Sequence, residues 1–511
     1  MPRVQYVSAT PHRRLHLMLI GDILVAQGLV TPIDVSAALE RQRTEGGKLG
    51  DNLVTMGKLA PADLAAVLDS TPMPPRSLDA TGLALSDLLN LVTKTMYSTG
   101  VETPSMIANL MKLPPLAIQQ LLDQAKERKL VDVLGSVGVR AVSELRYTLT
   151  EKGKQWAQDA LALSQYIGPA PVTLEAYRER VERQSIVNER VDRAAIDSAF
   201  ANLVISEDFI QEIGPAVNSG RSILLYGPPG NGKTSVAEKV GQMFRDVVYI
   251  PYCFEVEGQV IKVFDPGTHK PVRPGNTDRA ATLRREDFDQ RWVPCYRPFI
   301  VTGGELTLEM LDLRFNAPAN FYEAPLHIKA LGGIFVIDDF GRQIVTPEAL
   351  LNRWIVPLES RVDYLKLHTG KSFQLPFDEL LIFSTNLAPN QLMDPAFLRR
   401  IPYKIEVGAP TREEYRRIFD AVSKADRLED IDEIFQFVFA ELRERNDFPL
   451  ASYQPRFILE QVRAACKFQN IAMQFRPQLI SRALKNLYTK DTPGHGVQAK
   501  AAEPGDYARA A

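Results

Sequence analysis

Short, wholly apolar runs punctuate the second half of the chain. Ser222-Ile223-Leu224-Leu225-Tyr226, Gly333-Ile334-Phe335-Val336-Ile337 and Leu380-Leu381-Ile382-Phe383-Ser384-Thr385 carry blocks of consecutive apolar residues, with β-branched members among them. Runs of this kind suit parallel strands covered on both faces. From Thr411 to Asp491 the apolar residues return at helical spacing. The pattern predicts an α/β unit over 185–410, a parallel sheet with flanking helices, followed by an α-helical lid over 411–491. Thr492–Ala511 is small, polar and rich in Gly, Pro and Ala, the composition of a disordered tail.

The first half is patterned differently. Gly21-Asp22-Ile23-Leu24-Val25-Ala26-Gln27-Gly28 returns 29 positions later as Gly50-Asp51-Asn52-Leu53-Val54-Thr55-Met56-Gly57, and nine of the twenty positions from Gly21 to Glu40 are identical at that offset. Each unit reads as a short helix, a Gly stop and a second helix opened by Thr31-Pro32 or Ala60-Pro61. One unit cannot bury its apolar face alone, so the two are expected to pack as a small all-α repeat domain over 15–71. After a Pro-rich joint, Thr71–Pro75, residues 78–165 predict helices at Leu85–Tyr97, Pro104–Leu110 and Pro115–Lys129. A β-hairpin follows, ending in the turn Thr150-Glu151-Lys152-Gly153. Residues 166–184 read as a linker with a charged helical stretch.

Two resemblances attach here. The repeat resembles the MshEN domain of type II secretion and type IV pilus assembly ATPases, because Leu19–Gln42 and Lys48–Thr71 reproduce the spacing of its paired units. In that family the pair can bind cyclic di-GMP, with a basic residue opening each unit. The second unit here opens on Lys48, but the first opens on Leu19, so nucleotide binding and simple helical docking both stand as readings. Residues 78–165 resemble a winged helix. Its third helix carries Gln119, Gln120, Gln124, Lys126 and Arg128, yet Asp123 and Glu127 dilute the basic face that duplex DNA requires. Winged helices also serve as protein docking modules.

Composition narrows the field. The 511 residues carry 60 basic and 62 acidic side chains, 45% apolar and 24% charged positions. That balance excludes collagen, disulfide-dense and largely disordered classes, and argues against a surface that clamps nucleic acid throughout. Cys253, Cys295 and Cys466 lie far apart, and neither CxxC nor HExxH occurs, so neither a disulfide framework nor a structural zinc site is expected. No run of 18 apolar residues appears, and the apolar stretch after His12-Arg13-Arg14 is interrupted by Asp22 and Gln27. The expectation is a cytoplasmic protein without membrane insertion.

The chemistry lies at the ends of the apolar runs. The first runs into Gly227-Pro228-Pro229-Gly230-Asn231-Gly232-Lys233-Thr234 and then turns helical at Ser235. Strand, G-x-x-x-x-G-K-[ST] and helix in that order form a phosphate-binding loop, and Gly227–Ser235 are its candidate binding residues. Lys233 is expected to reach the β- and γ-phosphates of ATP, and Thr234 to ligate Mg²⁺. The second run ends in Asp338-Asp339. Asp338 would complete the Mg²⁺ shell and Asp339 would polarise the attacking water. The third delivers Asn386, whose amide could orient that water. Arg399 and Arg400 follow, candidates for an arginine supplied to a neighbouring subunit's γ-phosphate. Arg456, in Gln454-Pro455-Arg456, could reach back to the γ-phosphate from the helical part.

In this order the residues resemble those of the AAA+ ATPases over Ser185–Lys490. The resemblance implies Walker A at Gly227–Thr234, Walker B at Ile334–Asp339, sensor 1 at Asn386, an arginine finger at Arg399 or Arg400, and sensor 2 at Arg456. It further implies a hexameric ring that holds ATP and Mg²⁺ between subunits. Most members carry Asp-Glu where this chain has Asp338-Asp339, and the shorter side chain implies slow or partner-dependent hydrolysis. The long segment between the expected strand Val247–Cys253 and Asp338 predicts a hairpin around Asp265-Pro266-Gly267-Thr268 and a helix over Glu305–Leu313. A further hairpin, Asp363–Leu367 with Lys371–Leu375, precedes Asn386. That arrangement resembles the branch containing MoxR-like chaperones and enhancer-binding ATPases, whose inserts face a pore. Phe321 and Tyr322 are therefore candidates for substrate contact, with core packing as the alternative.

Three functional readings follow. The first is an ATPase that remodels a protein partner, with a bacterial secretion, pilus or envelope link suggested by the repeat. The second is a DNA-associated, ATP-switched regulator or loader that uses the winged helix. The third is a nucleotide-gated scaffold with little turnover.

Overall fold

Five strands, all parallel, form the central sheet in the order Tyr403–Glu406, Ile223–Tyr226, Leu380–Thr385, Ile334–Ile337, Phe299–Thr302. They come from a computed structural model that describes residues 20–137, 144–244, 246–272, 288–392, 394–425 and 431–487. Ile334–Ile337 and Leu380–Thr385 are buried at every position, because alternate side chains enter opposite cores. Ile334, Val336 and Ile382 meet Ile213, Val217, Val236 and Val240 of two helices on one face. Phe335, Ile337 and Phe383 meet Phe340, Leu350 and Trp354 on the other. Each such side chain contributes about 1.5–3 kcal/mol by leaving water. The fold is α/β, a parallel sheet flanked by helices.

The strand expected at Val247–Cys253 is present in part, as Val247–Pro251, outside the central sheet. It pairs antiparallel with Trp292–Tyr296 in a separate ribbon, and Phe299–Thr302 takes the central edge. The expected turn at 265–268 does not close a hairpin. The hairpin lies earlier, Cys253–Val256 with Gln259–Lys262, and turns at Glu257-Gly258, both at positive φ (52° and 77°). Two such residues give a tight turn whose twist matches the strands it joins. Glu305–Leu313 contains only a short 3₁₀ turn, Leu308–Leu311.

This hairpin anchors an accessory sheet ordered Arg314–Asn316, Phe321–Glu323, Gln259–Lys262, Cys253–Val256, Val172–Thr173. The last strand belongs to the stretch read as a linker. There Val172–Thr173 pairs with Phe254 and Glu255, and the helix Leu174–Arg183 buries Leu174, Tyr177 and Val181. The neck of the inserted segment is closed by Arg297, whose guanidinium Nε donates to both Asp246 oxygens (2.7 and 2.9 Å) and whose Nη1 donates to the Gln184 carbonyl (3.0 Å) and to the Gly332 carbonyl.

The hairpin before Asn386 is present, Val362–Lys366 with Ser372–Pro376, but it is packed rather than free. Phe373 meets Phe254 edge-on at 6.2 Å, and Arg353 and His327 bond the buried Asp363. Tyr322, a substrate-contact candidate, is 1% exposed and bonds His368 through its hydroxyl; Phe321 lies edge-on to Tyr166 at 6.0 Å. Core packing is the outcome for both.

Toward the N-terminus the repeat forms four helices, Ile20–Ala26, Pro32–Glu45, Leu49–Thr55 and Pro61–Ser70. A Cβ on Gly21 would lie 2.9 Å from Val35, and one on Gly50 2.6 Å from Leu64. The repeated glycine thus marks the same close helix approach in each unit. The Pro-rich joint is fastened to the ribbon: the Thr71 and Tyr249 hydroxyls lie 3.1 Å apart, and the Asp289 N–H donates to the Pro72 carbonyl (2.8 Å). Next come helices Leu85–Thr99, Pro104–Met111 and Pro115–Glu127 and the hairpin Val131–Val137 with Glu144–Leu149. Thr150 then caps a further helix, Glu151–Leu163, where the sequence reads a turn. The C-terminal unit holds helices Arg412–Ala425, Ile431–Phe439, Gln454–Phe468 and Pro477–Leu487 around Tyr415, Phe419, Phe435 and Ile458. The expected tail at 492–511 and the positions before Ile20 lie outside the described residues. Among the described residues, no helix is long and apolar enough to cross a membrane.

Candidate phosphate-binding site

Ile223–Tyr226 delivers the glycine-rich loop at the C-terminal end of the sheet, where ligands of open α/β sheets bind. Gly232, at φ 88°, caps the helix Lys233–Gly241, so that helix's first N–H groups and its dipole face the loop. The Lys233 ammonium donates to the carbonyls of Gly227 and Pro228 (2.9 Å each) and to Asn386 Oδ1 (2.7 Å). Burial pushes its pKa below the ordinary lysine value, and the charges of Asp338 and Asp339 partly oppose that shift.

The acidic pair meets the loop directly. Thr234 Oγ1 donates to Asp338 Oδ2 at 2.8 Å, while the Asp338 N–H is held by the Thr302 carbonyl of the edge strand (2.8 Å). Asp339 sits at φ 49°, in the left-handed region. Such backbone costs about 1–3 kcal/mol and clusters at functional sites. The following turn is fixed by Phe340 N–H to Ser384 O (2.7 Å) and Thr385 Oγ1 to Phe340 O (2.7 Å). Asn386 bridges the halves: its Oδ1 accepts from Lys233 and its Nδ2 donates to Asp339 Oδ1 at 3.0 Å. The two partners require opposite ends of the amide, which settles its orientation.

The remaining candidates lie apart from this cluster. Arg400 is engaged by Glu359 (2.6 Å), the Ala396 carbonyl (2.9 Å) and the Phe397 ring (5.5 Å). Arg399 is exposed and has no ion pair among the described residues. Arg456 pairs with Glu460 on its own helix at 2.9 Å, and among the described residues no bond joins it to the loop. Ser235 continues the helix's first turn. Three contributors escape sequence reading. Gln343 ties down the acidic turn, its Nε2 donating to Asp338 O (2.9 Å). The N–H groups of Ser452 and Tyr453 donate to Asn231 Oδ1 and Gly230 O, both at 3.1 Å. All three contacts depend on tertiary docking and carry no local motif.

Sheet, glycine-rich loop and acidic pair thus meet at one end of an α/β fold. Over an alignment 191 positions long, covering 34% of this chain and 22% of the other, the chain is 29% identical to the vesicle-fusing ATPase of Caenorhabditis elegans. The chain thus matches about a fifth of that relative. Residues 411–486 match a family model described as a domain of unknown function, DUF8689. Solved structures with similarity include the Thermotoga maritima RuvB Holliday junction branch migration motor, 14% identical over 59% of this chain and 73% of that one, with a TM-score of 0.30. Domain III of the Thermotoga maritima replication initiation protein DnaA is 11% identical over 57% and 96%, with a TM-score of 0.31.

Proposed function

We propose that this chain is a Mg²⁺-dependent ATPase that works as a ring, a hexamer by its resemblance, and remodels a protein partner. The observation that carries the reading is the continuous bonded path Lys233–Asn386–Asp339 lying beside Thr234–Asp338. It supports a division of labour. Backbone N–H groups of Gly230–Ser235 and the Lys233 ammonium bind the phosphates. Thr234 and Asp338 present a hydroxyl and a carboxylate oxygen close together, a donor pair that fits a hard cation. When bound there, Mg²⁺ neutralises charge on the β- and γ-phosphates. Asp339 accepts a proton from the attacking water, and Asn386 orients that water. With aspartate in place of glutamate the carboxylate reaches less far, which supports slow turnover or dependence on a partner.

Between the two paired arginines, Arg399 is the better candidate to act on a neighbouring subunit, since Arg400 is already committed to Glu359. For the N-terminal modules, protein docking is favoured over nucleic acid and cyclic di-GMP. Gln119 bonds Asp123 and Tyr147, Gln120 accepts from the Leu78 N–H, and Gln124 bonds Glu127, so the third helix spends its amides within the chain. Exposed Leu116, Leu134 and Leu145 on that helix and the hairpin suit an apolar partner. Packing already accounts for the repeated glycines. The link to a secretion, pilus or envelope system rests on the repeat alone.

The test is steady-state phosphate release by the full chain with Mg·ATP, alone and in mixtures of variants. Arg399→Ala alone is expected to lose about 10³-fold in turnover. It should regain activity when mixed with Lys233→Ala subunits, each variant supplying what the other lacks. Failure to recover at any ratio, with mixed assemblies present, would rule out donation between subunits.

A further inference from the structure

The C-terminal helical unit touches the glycine-rich loop through the turn that opens the helix Gln454–Phe468. Consecutive backbone N–H groups, Ser452 and Tyr453, donate into consecutive loop residues, Asn231 and Gly230. The Tyr453 ring lies so close over Gly230 (φ 81°) that a Cβ there would fall 2.3 Å from Cδ1. The donors are held rigid from behind: Gln454, 1% exposed, accepts the Ala451 N–H (3.0 Å) and donates to the Pro449 carbonyl (2.8 Å). Asn231 itself is 7% exposed, and its Nδ2 is buried with no hydrogen-bond partner among the described residues. A buried amide that satisfies one end only is a costly arrangement unless something else fixes it.

We propose that Asn231, Ser452 and Tyr453 form a latch through which the glycine-rich loop steers the helical unit, with Tyr453 as a positioning residue for turnover. The proposal rests on the nucleotide reading of the loop. Loop carbonyl and side chain are the acceptors, so any re-tilting of the loop around phosphate pulls on two amides at once. Their helix carries Ile458, Leu459 and Val462; Ile458 and Val462 lie in the core of the helical unit, which therefore moves as a body. Arg456, the expected coupling residue, is one turn further along and paired with Glu460. The latch supplies coupling without it.

Hydrogen exchange on the full chain with and without Mg·ATP reads the latch directly. Exchange at the Ser452 and Tyr453 amides is expected to change about fivefold or more on adding Mg·ATP. In Tyr453→Ala that nucleotide-dependent change is lost, and kcat falls about tenfold while KM moves less than about threefold. Tyr453→Phe, which keeps the ring, preserves both, and Asn231→Ala speeds exchange at Ser452 in particular. Wild-type protein that binds Mg·ATP with no change at these amides overturns the proposal. So does a Tyr453→Ala chain that melts earlier but keeps its nucleotide-dependent exchange, since the ring is then only packing. Wild-type protein that gives no binding heat with Mg·ATP removes the nucleotide reading, and the latch with it.

Discussion

In the central sheet, Thr234, Asp338, Asp339 and Asn386 stand just past the ends of strands or at a helix start, bonded to one another yet open to solvent; Asp339 is exposed and Asn386 half-buried. In the accessory sheet and its supports, equally charged residues are closed off. The Arg297 side chain is 2% exposed with every bond spent on Asp246, Glu189 and two carbonyls, and Arg291 and Asp289 are 7% and 3% exposed in a mutual pair. The contrast separates two uses of the same residue types. A charge enclosed by its partners fixes architecture, whereas charges that share partners at an open strand end remain free to meet a ligand.

The strongest way to break this contrast is at Lys233. Lys233→Ala is expected to abolish Mg·ATP binding by calorimetry while shifting the unfolding free energy by less than about 1 kcal/mol. The ammonium, although only 7% exposed, bonds two loop carbonyls and Asn386 that lie at the solvent-facing rim, and leaves no buried charge unpaired when removed. A large loss of stability would place Lys233 with the structural charges. Next comes Asp339→Asn, which should retain binding and cut steady-state phosphate release by about 10²–10⁴-fold. Undiminished turnover would transfer the water-activating role elsewhere.

From the other side, Asp363→Ala leaves the buried His327 and Arg353 without their shared carboxylate. It should cost about 3 kcal/mol in chemical denaturation, with Mg·ATP affinity of the remaining folded protein within about threefold. An equal loss of affinity would show that the accessory region and the loop are one unit energetically.

The same contrast explains what could be read in the sequence. Strands such as Ile334–Ile337 announce themselves because burial on both faces demands an unbroken apolar run, and the loop motif is local. Val247–Pro251 is just as apolar, but nothing in such a run says which sheet it joins; its partner Trp292–Tyr296, paired across 41 to 49 positions, decides the matter. Of the Glu257-Gly258 turn only Gly258 carries a sequence signal, a residue tolerant of positive φ between short apolar runs; Glu257 at φ 52° is imposed by the pairing. Tyr453 and Gln343 were not, because their roles exist only once distant elements dock. The charged helical stretch expected within 166–184 is present as Leu174–Arg183; what its sequence conceals is an apolar face of Leu174, Tyr177 and Val181 whose partner is remote.

The smallest expected effect is a pH dependence that belongs to the accessory side alone. His327 is wholly buried with Nε2 2.7 Å from Asp363 Oδ2. Burial pushes its pKa below the ordinary 6.5, and Asp363 only partly restores it against Arg353. For Asp363, burial acts upward, but the bonds from His327 and Arg353 outweigh it and hold the carboxyl below 3.8. A depressed histidine binds fewer protons folded than unfolded. Its stabilisation is therefore complete above pH 6.5 and lost as pH falls through the folded value, with Asp363 adding the same sign further down. His269, also buried and depressed, contributes in parallel. His327→Gln keeps an N–H donor near Asp363 but cannot titrate, so its denaturation midpoint should fall less steeply below pH 6.5 than that of the wild type. Identical slopes in the two proteins would mean that His327 does not gate stability, and that the accessory charges are less enclosed than their burial implies.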